Sequence, residues 1–297
     1  MREGKDVLNI KRGYLKKDFE FFHLKDMKNL KFEAHYHDFN KIIVFISGNV
    51  TYLIEGKAYK LRPWDILFVS SNEIHKPIID SSEIYERIII WLNPIFLTKH
   101  NNKECNLLTC FELASSQKHN LMRLDQSQIL NIKPALSQLN DACKSKEFGS
   151  GILKNSLLLQ LMVFLNRLFL GAENIKDQSD IEYDKSIGDI LSYINDNLDE
   201  DLSIDYISTK FFVSKYYLMH KFKKQTGYTI HNYILQKRLI MANSLIKKGE
   251  SVNEVYLRCG FGDYSNFIRA FKKMFGLPPK KYYKALMELE NSYDDKH

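Results

Sequence analysis

One segment of this chain occurs twice, and that repeat constrains the fold more than any other feature. Phe222-Lys223-Lys224-Gln225-Thr226-Gly227 returns 49 residues later as Phe271-Lys272-Lys273-Met274-Phe275-Gly276. The match extends backward, pairing Leu218 with Phe267 and Ser214 with Asp263. Ser and Asp are good helix N-caps, and the closing glycines suit a helix C-terminus. Between cap and glycine the periodicity predicts a helix of about a dozen residues in each copy. Leu218 and Phe222, like Phe267 and Phe271, form the inner face. Lys215, Tyr216, Met219, His220 and Lys223 lie opposite in the first copy, and Tyr264, Ser265, Ile268, Arg269 and Lys272 in the second.

Each repeated helix is preceded by a shorter amphipathic one. Leu202 to Ser208 leads through Phe211-Phe212-Val213, and Val252 to Leu257 leads through Cys259-Gly260-Phe261-Gly262. A short helix, a tight turn and a second helix make a helix-turn-helix unit, and two such units aim two helices at DNA. A plain helical bundle is the alternative, and charge argues against it. From Lys210 to Lys284 there are 16 Lys/Arg and 3 Asp/Glu, a local charge of +13. The remainder, with 27 against 33, carries −6, so the overall +7 conceals a basic module joined to a mildly acidic one. That division suits nucleic acid at one end only.

The stretch Gly260-Phe261-Gly262-Asp263-Tyr264-Ser265-Asn266-Phe267-Ile268-Arg269-Ala270-Phe271-Lys272-Lys273-Met274-Phe275-Gly276-Leu277-Pro278-Pro279-Lys280-Lys281-Tyr282 resembles the signature of the AraC/XylS family of bacterial transcription regulators. Arg238-Leu239 and Ala242 resemble the helix that joins the two units in that family. The resemblance covers residues 185–284 strongly and the first half more loosely. Tyr256 stands where the family usually has a small residue, its counterpart in the first unit is Ser208, and Phe212 stands where a turn glycine is often found.

The first half reads as β-structure. Phe19, Phe21 and Phe22 suggest an opening strand. Ile42 to Ile46 runs into Ser47-Gly48-Asn49, Val50 to Ile54 into a Glu55-Gly56 hairpin turn, and Ala58 to Leu61 into Arg62-Pro63-Trp64-Asp65. Ile66 to Val69 and Ile84 to Leu92 follow. Many short strands with regular turns imply an all-β barrel or sandwich. The pattern resembles the cupin-like sensor domain of many AraC-family regulators, through His35, His37, Gly48, Gly56, Pro63, Asp65 and His75. Alternate strand residues share a face, so His35 and His37 would both point inward, with His75 joining them. The resemblance would place a carboxylate as fourth metal ligand where Lys41 stands, and an ammonium repels a divalent cation. No metal and no cofactor are therefore expected. His35, His37, Lys41, Trp64 and His75 are the candidate ligand-pocket residues, with Trp91 a further aromatic; structural hydrogen bonding is the competing role for the histidines.

Asn93 to His119 reads as a loop with one short helix near 107–114. Two helices follow, Gln126 to Ala142 and Ile152 to Leu170, the second apolar on nearly all sides and so in need of cover. A second subunit is one source of that cover and internal packing another; the family resemblance suggests a homodimer. Residues 171–184 form a linker, which divides the chain into a sensing and dimerisation domain (1–175) and a DNA-binding domain (183–290). The fold class expected is α+β with two domains: a cupin-like β-barrel with packed helices, then an all-α double helix-turn-helix. Four scattered cysteines make no metal pattern. No signal peptide is visible, and the run 157–170 is shorter than a membrane span, so a cytoplasmic protein without a membrane partner is expected.

The joining helix, 230–246, spans about 25 Å, which with its flanking units suits recognition helices one DNA turn apart. Lys215, Tyr216, Met219 and His220, then Tyr264, Ser265, Ile268 and Arg269, are the candidate base readers, Arg269 foremost because its fork matches guanine O6 and N7. Lys223, Lys224, Lys237, Arg238, Lys272, Lys273, Lys280 and Lys281 are candidate phosphate contacts. The function expected is a sequence-specific, effector-controlled regulator that contacts RNA polymerase, with activation the favoured sign and a sugar one candidate effector. A metal-dependent cupin enzyme fused to a DNA-binding domain, or an architectural DNA binder without a ligand, are the alternatives.

Overall fold

The computed structural model describes residues 15, 17–26, 35–80, 82–171, 180–182 and 184–294. The chain divides into two compact units, Met1–Glu182 and Tyr183–His297. Most of the expected linker, 172–179, lies outside the described residues.

The first unit is built on two sheets. Strands β1 (Phe19–Asp26), β2 (Asn40–Ser47), β3 (Asn49–Ile54), β4 (Lys57–Lys60), β5 (Ile66–Val69), β6 (His75–Asp80), β7 (Tyr85–Leu92), β8 (Leu121–Met122) and β9 (Ile181–Glu182) sort into a five-stranded sheet, β1-β7-β2-β5-β8, and a four-stranded one, β6-β3-β4-β9. All pairings are antiparallel. Local backbone chemistry sets the crossings. Gly48, at φ 118°, turns the chain from β2 into the other sheet; a side chain there would lie 3.1 Å from the Ile84 carbonyl and the Tyr85 Cα. Glu55 and Gly56, both with positive φ, close the β3–β4 hairpin.

The expected cupin-like barrel is not what these strands build. Two separate sheets face each other, and among the described residues no ladder closes them into a barrel. The core is correspondingly in two layers. Ile43, Phe45, Val50, Tyr52, Ile54, Tyr59, Leu67 and Val69 fill the space between the sheets. The other face of the larger sheet, with Ile42, Val44, Ile66, Phe68 and Ile90, packs against helices. Strand β2 is therefore buried on both faces, which explains its unbroken apolar run.

Those helices are α1 (Pro94–Lys99), α2 (Thr109–Ser116), α3 (Gln126–Lys144) and α4 (Ser150–Gly171). α1 falls inside the stretch expected to be loop. α3 starts in a capping box between Asp125 and Gln128. α4 has 22 residues, long and apolar enough to cross a membrane by length and composition, which corrects the expectation that this stretch is too short. Leu158, Leu161, Met162, Leu165 and Phe169 bury one side of it in the helix-covered core. Its buried Asn166 donates to the carbonyls of Leu107 (3.0 Å) and Met162 (2.8 Å) and accepts from the Cys110 N–H (2.8 Å).

The second unit is all helical: α5 (Lys185–Asp196), α6 (Ile204–Lys210), α7 (Lys215–Thr226), α8 (Ile230–Lys247), α9 (Val252–Arg258), α10 (Tyr264–Phe275) and α11 (Pro279–Asp294). α6–α7 and α9–α10 are the two helix-turn-helix units, joined by α8. Eighteen residues give α8 a length of about 27 Å.

Candidate functional site

The two repeated helices are built alike from cap to cap. Ser214 accepts from the Tyr217 N–H and Asp263 from the Asn266 N–H; each helix has 12 residues; each ends at a left-handed glycine, Gly227 at φ 80° and Gly276 at φ 84°. Such a cap stabilises a helix by about 1 kcal/mol. Leu218, Phe222, Phe267 and Phe271 are fully buried, which fixes the rotation of both helices. Lys215, Tyr216, Met219 and His220 consequently emerge from α7, and Tyr264, Ser265 and Arg269 from α10, with Ile268 half-buried beside them.

The side chains on these faces already interact. The rings of Tyr216 and His220 lie parallel, 6.0 Å apart. Lys215 is ion-paired with Asp205 of α6. Arg269 donates to the Asn266 side chain one turn earlier, which lays the guanidinium along the helix surface. Lys223, Lys224, Lys272 and Lys273 are exposed in the last turns, where cations also complement the helix dipole. Lys280 and Lys281 are exposed in the first turn of α11, and Lys237 is half-buried with its ammonium 5.6 Å from the Tyr233 ring centre.

Arg238, a candidate phosphate contact, is engaged within its own unit. Its Nε donates to the Leu198 carbonyl at 2.8 Å and its Nη2 to the Glu200 carbonyl at 2.7 Å, so the guanidinium is spent on a loop of its own unit. The missed signal was Gly260. A Cβ there would lie 2.4 Å from the Leu198 carbonyl oxygen and 2.7 Å from Arg238 Nη2. Glycine makes room for the arginine that ties α8 to the loop before α6.

In the first unit the histidines gather around a lysine. Lys41 Nζ lies 3.0 Å from His37 Nε2 and 3.0 Å from His75 Nε2. His35 completes the cluster, its ring 4.9 Å from His37 and 4.6 Å from His75, with ligand atoms of all three imidazoles within 4.8 Å of one another. His35 is not on a strand as expected: it makes one isolated bridge to His75, and His37 lies in the turn before β2. Three imidazoles this close have the donor chemistry of a metal site, but the ammonium sits among them and takes two of their lone pairs. Burial, then Lys41, hold both His37 and His75 below the usual histidine range. Burial, then Arg87, bring Lys41 down to about 7.

Trp64 is not at this cluster. Its backbone has φ 72°, and its ring packs against the helix-covered core under the Lys133 ammonium, 4.3 Å from the ring centre. The tryptophan at the cluster is Trp91, register partner of Lys41, with its ring 6.1 Å from His37 and 4.9 Å from Phe39.

The arrangement defines a class: a DNA-binding module with two recognition helices, carried on a chain whose first unit is a two-sheet domain. Comparison with known proteins is consistent with both halves. Residues 20–162 match the AraC-like ligand binding domain model, and residues 207–285 match a helix-turn-helix domain model. The HTH-type transcriptional activator RhaS of Citrobacter koseri is 26% identical over 262 residues, spanning 84% of this chain and 86% of that protein. The activator RhaR of Mannheimia succiniciproducens is 24% identical over 259 residues, spanning 84% and 87%. Among solved structures, the DNA-binding domain of AdpA in complex with a target DNA is 22% identical, covering 34% of this chain and 91% of that one, with a TM-score of 0.33. The chain is similar in both parts to AraC-type regulators, and it is a sequence-specific DNA-binding transcription regulator. The cupin assignment is replaced by the AraC-like ligand binding domain.

Proposed function

We propose that this regulator is an effector-controlled activator in which residues 1–175 sense and dimerise and residues 183–290 bind DNA. The observation that carries it is the pair of helices, each with a side-chain N-cap and a left-handed glycine at its end, with polar and aromatic side chains turned outward. In this reading α7 reads bases through Lys215, Tyr216, Met219 and His220, and α10 through Tyr264, Ser265, Ile268 and Arg269. Lys223, Lys224, Lys237, Lys272, Lys273, Lys280 and Lys281 meet phosphates. Activation is supported by the relatives, which are named activators; contact with RNA polymerase is the route this reading gives it. A regulator of this kind acts in the cytoplasm, where its DNA is.

The effector sits between the sheets at His35, His37, Lys41 and His75, with Trp91 in place of Trp64. A sugar would stack on an aromatic face there; an acid would answer the Lys41 ammonium. Dimerisation runs through residues 126–170, where Leu130, Ile152 and Leu153 are exposed. In vitro selection of bound DNA from a random pool tests the whole reading. The expected result is a single site class with two blocks about one helical turn apart. Recovery of unrelated sequences with equal affinity would leave an architectural binder.

A further inference from the structure

We propose that the Lys41 corner of the first unit seats a carboxylate, so that the effector is a small organic acid rather than a neutral sugar. This rests on the reading of the first unit as the effector domain, and it follows from counting donors and acceptors.

His37, Lys41 and Trp91 are each about nineteen-twentieths buried, at 5%, 5% and 6% exposure. Lys41 and Trp91 are paired in register on β2 and β7, so their side chains are neighbours on the face between the sheets. His75 Nδ1 lies 2.9 Å from the Glu73 carbonyl and can only donate to it, which leaves Nε2 to accept from Lys41. His37 Nε2 likewise accepts from Lys41, so a neutral His37 carries its proton on Nδ1. Among the described residues that Nδ1 has no hydrogen-bond partner, and neither has Trp91 Nε1, which is a donor only. With two acceptors for Lys41 among the described residues, its third ammonium hydrogen makes three N–H groups there without an acceptor in one buried corner. Leaving each unanswered costs on the order of 1–3 kcal/mol.

Charge points the same way. Arg87, buried on β7, is answered by Asp26 at 2.6 Å. Among the described residues no carboxylate lies within ion-pair distance of Lys41. The corner therefore lacks an acceptor that brings negative charge and no hydrogen of its own. An ionised carboxylate fits, with two oxygens and about four lone-pair directions. A sugar hydroxyl fits poorly, because it needs an acceptor for its own hydrogen and Lys41 already occupies the Nε2 lone pairs of His37 and His75. A divalent cation is opposed by the ammonium in the midst of the imidazoles.

The test uses the full-length protein and matched probe pairs: acetate with acetamide, butyrate with butyramide, galacturonate with galactose, and inorganic phosphate alone. Binding is read by calorimetry and by the shift in thermal midpoint. Binding of a carboxylate without its neutral partner is the expected result. Lys41→Met should weaken that carboxylate roughly 30-fold or more. Trp91→Phe, which keeps an aromatic ring and removes one donor, should weaken it about fivefold. Circular dichroism and binding to the selected DNA site verify that each variant folds, and Trp91→Phe carries the test if Lys41→Met does not fold. No response to any carboxylate, equal binding of the neutral partner or of phosphate, or unchanged affinity in folded variants would overturn the proposal. DNA affinity measured with and without the probe separates it from the sensor reading. A carboxylate that binds at Lys41 and leaves DNA binding and transcription unchanged sinks the sensor and keeps the site; a neutral sugar that binds there and changes DNA affinity does the reverse.

Discussion

Arg269 lies on the exposed face of α10, two residues before the buried Phe271, and its guanidinium is held along the helix by Asn266. Lys273 stands in the last turn of the same helix. If the first reads a base and the second a phosphate, their loss should differ in kind. Arg269→Ala should cost roughly 1–3 kcal/mol on the preferred site and relax the preference at one base pair. Lys273→Ala should weaken binding to all DNA alike and reduce the salt slope by about one unit. Titration of the selected site, its single-base variants and random DNA at two salt concentrations distinguishes them; equal loss on every sequence would make Arg269 a phosphate contact. Lys41 makes a prediction of a different sort. Its hydrogen-bond partners are His37 before β2 and His75 on β6, and the charge that acts on it is Arg87 on β7. Burial lowers it to about 7 from 10.5. Between those values the unfolded chain binds the extra proton, so this group adds stability as pH rises from about 7 towards 10, by at most about 1.4 kcal/mol per unit. Below pH 7 both states are protonated and the contribution is flat. In denaturant melts the wild type should therefore gain stability relative to Lys41→Met as pH rises above about 7; a pH-independent difference would mean an ordinary lysine.

At the scale of the element, the two helix-turn-helix turns make a natural comparison. Phe212 and Gly260 both adopt positive φ, 54° and 71°. Gly260 is enclosed by the Leu198 carbonyl and Arg238, whereas Phe212 is 96% exposed. A left-handed non-glycine costs about 1–2 kcal/mol. Phe212→Gly should then stabilise the second unit by about 0.5–1 kcal/mol, after the greater chain entropy of glycine is deducted. Gly260→Ala should destabilise it by roughly 2–4 kcal/mol, since the new carbon meets backbone and a tethered arginine. Urea denaturation of the two variants checks the pair, and equal effects would mean the turns are equivalent. The comparison also marks what was legible in the sequence. Caps, helix lengths and inward faces of α7 and α10 depend on residues within a turn of each other, so the repeat displayed them. The role of Arg238 depends on a carbonyl 40 residues away, and no local pattern carries that. His35 and His37 invited a period-of-two reading, yet the strand begins only at Asn40. Strand runs were readable, but which sheet each joins was decided by turns such as Gly48, where the backbone of Ile84 and Tyr85 comes close. α1 was readable and missed: Asn93 as N-cap with Pro94 in the first turn is a standard start signal.

For the molecule as a whole, the exposed apolar side chains of α3 and α4 set the expectation for assembly. Leu130, Ile152 and Leu153 stand out of the surface at 70%, 77% and 52% exposure. If a second copy covers them, Ile152→Glu with Leu153→Glu should shift the full-length protein from dimer to monomer at micromolar concentration in analytical ultracentrifugation. Its affinity for an isolated single-block DNA should stay within about threefold, because the recognition helices are untouched. A wild type that sediments as a monomer at every concentration would remove the dimer from the proposal. The duplicated recognition helix has one more consequence, which concerns exchange. α7 and α10 have the same length, the same kind of first cap and the same left-handed glycine at the end, so each is a cassette whose outer face can be rewritten without disturbing its seat. Transplanting Tyr264, Ser265, Ile268 and Arg269 onto positions 215, 216, 219 and 220 should yield a protein that prefers two copies of the α10 block in tandem. Two alphabets would have become one, written twice on the same face of the duplex.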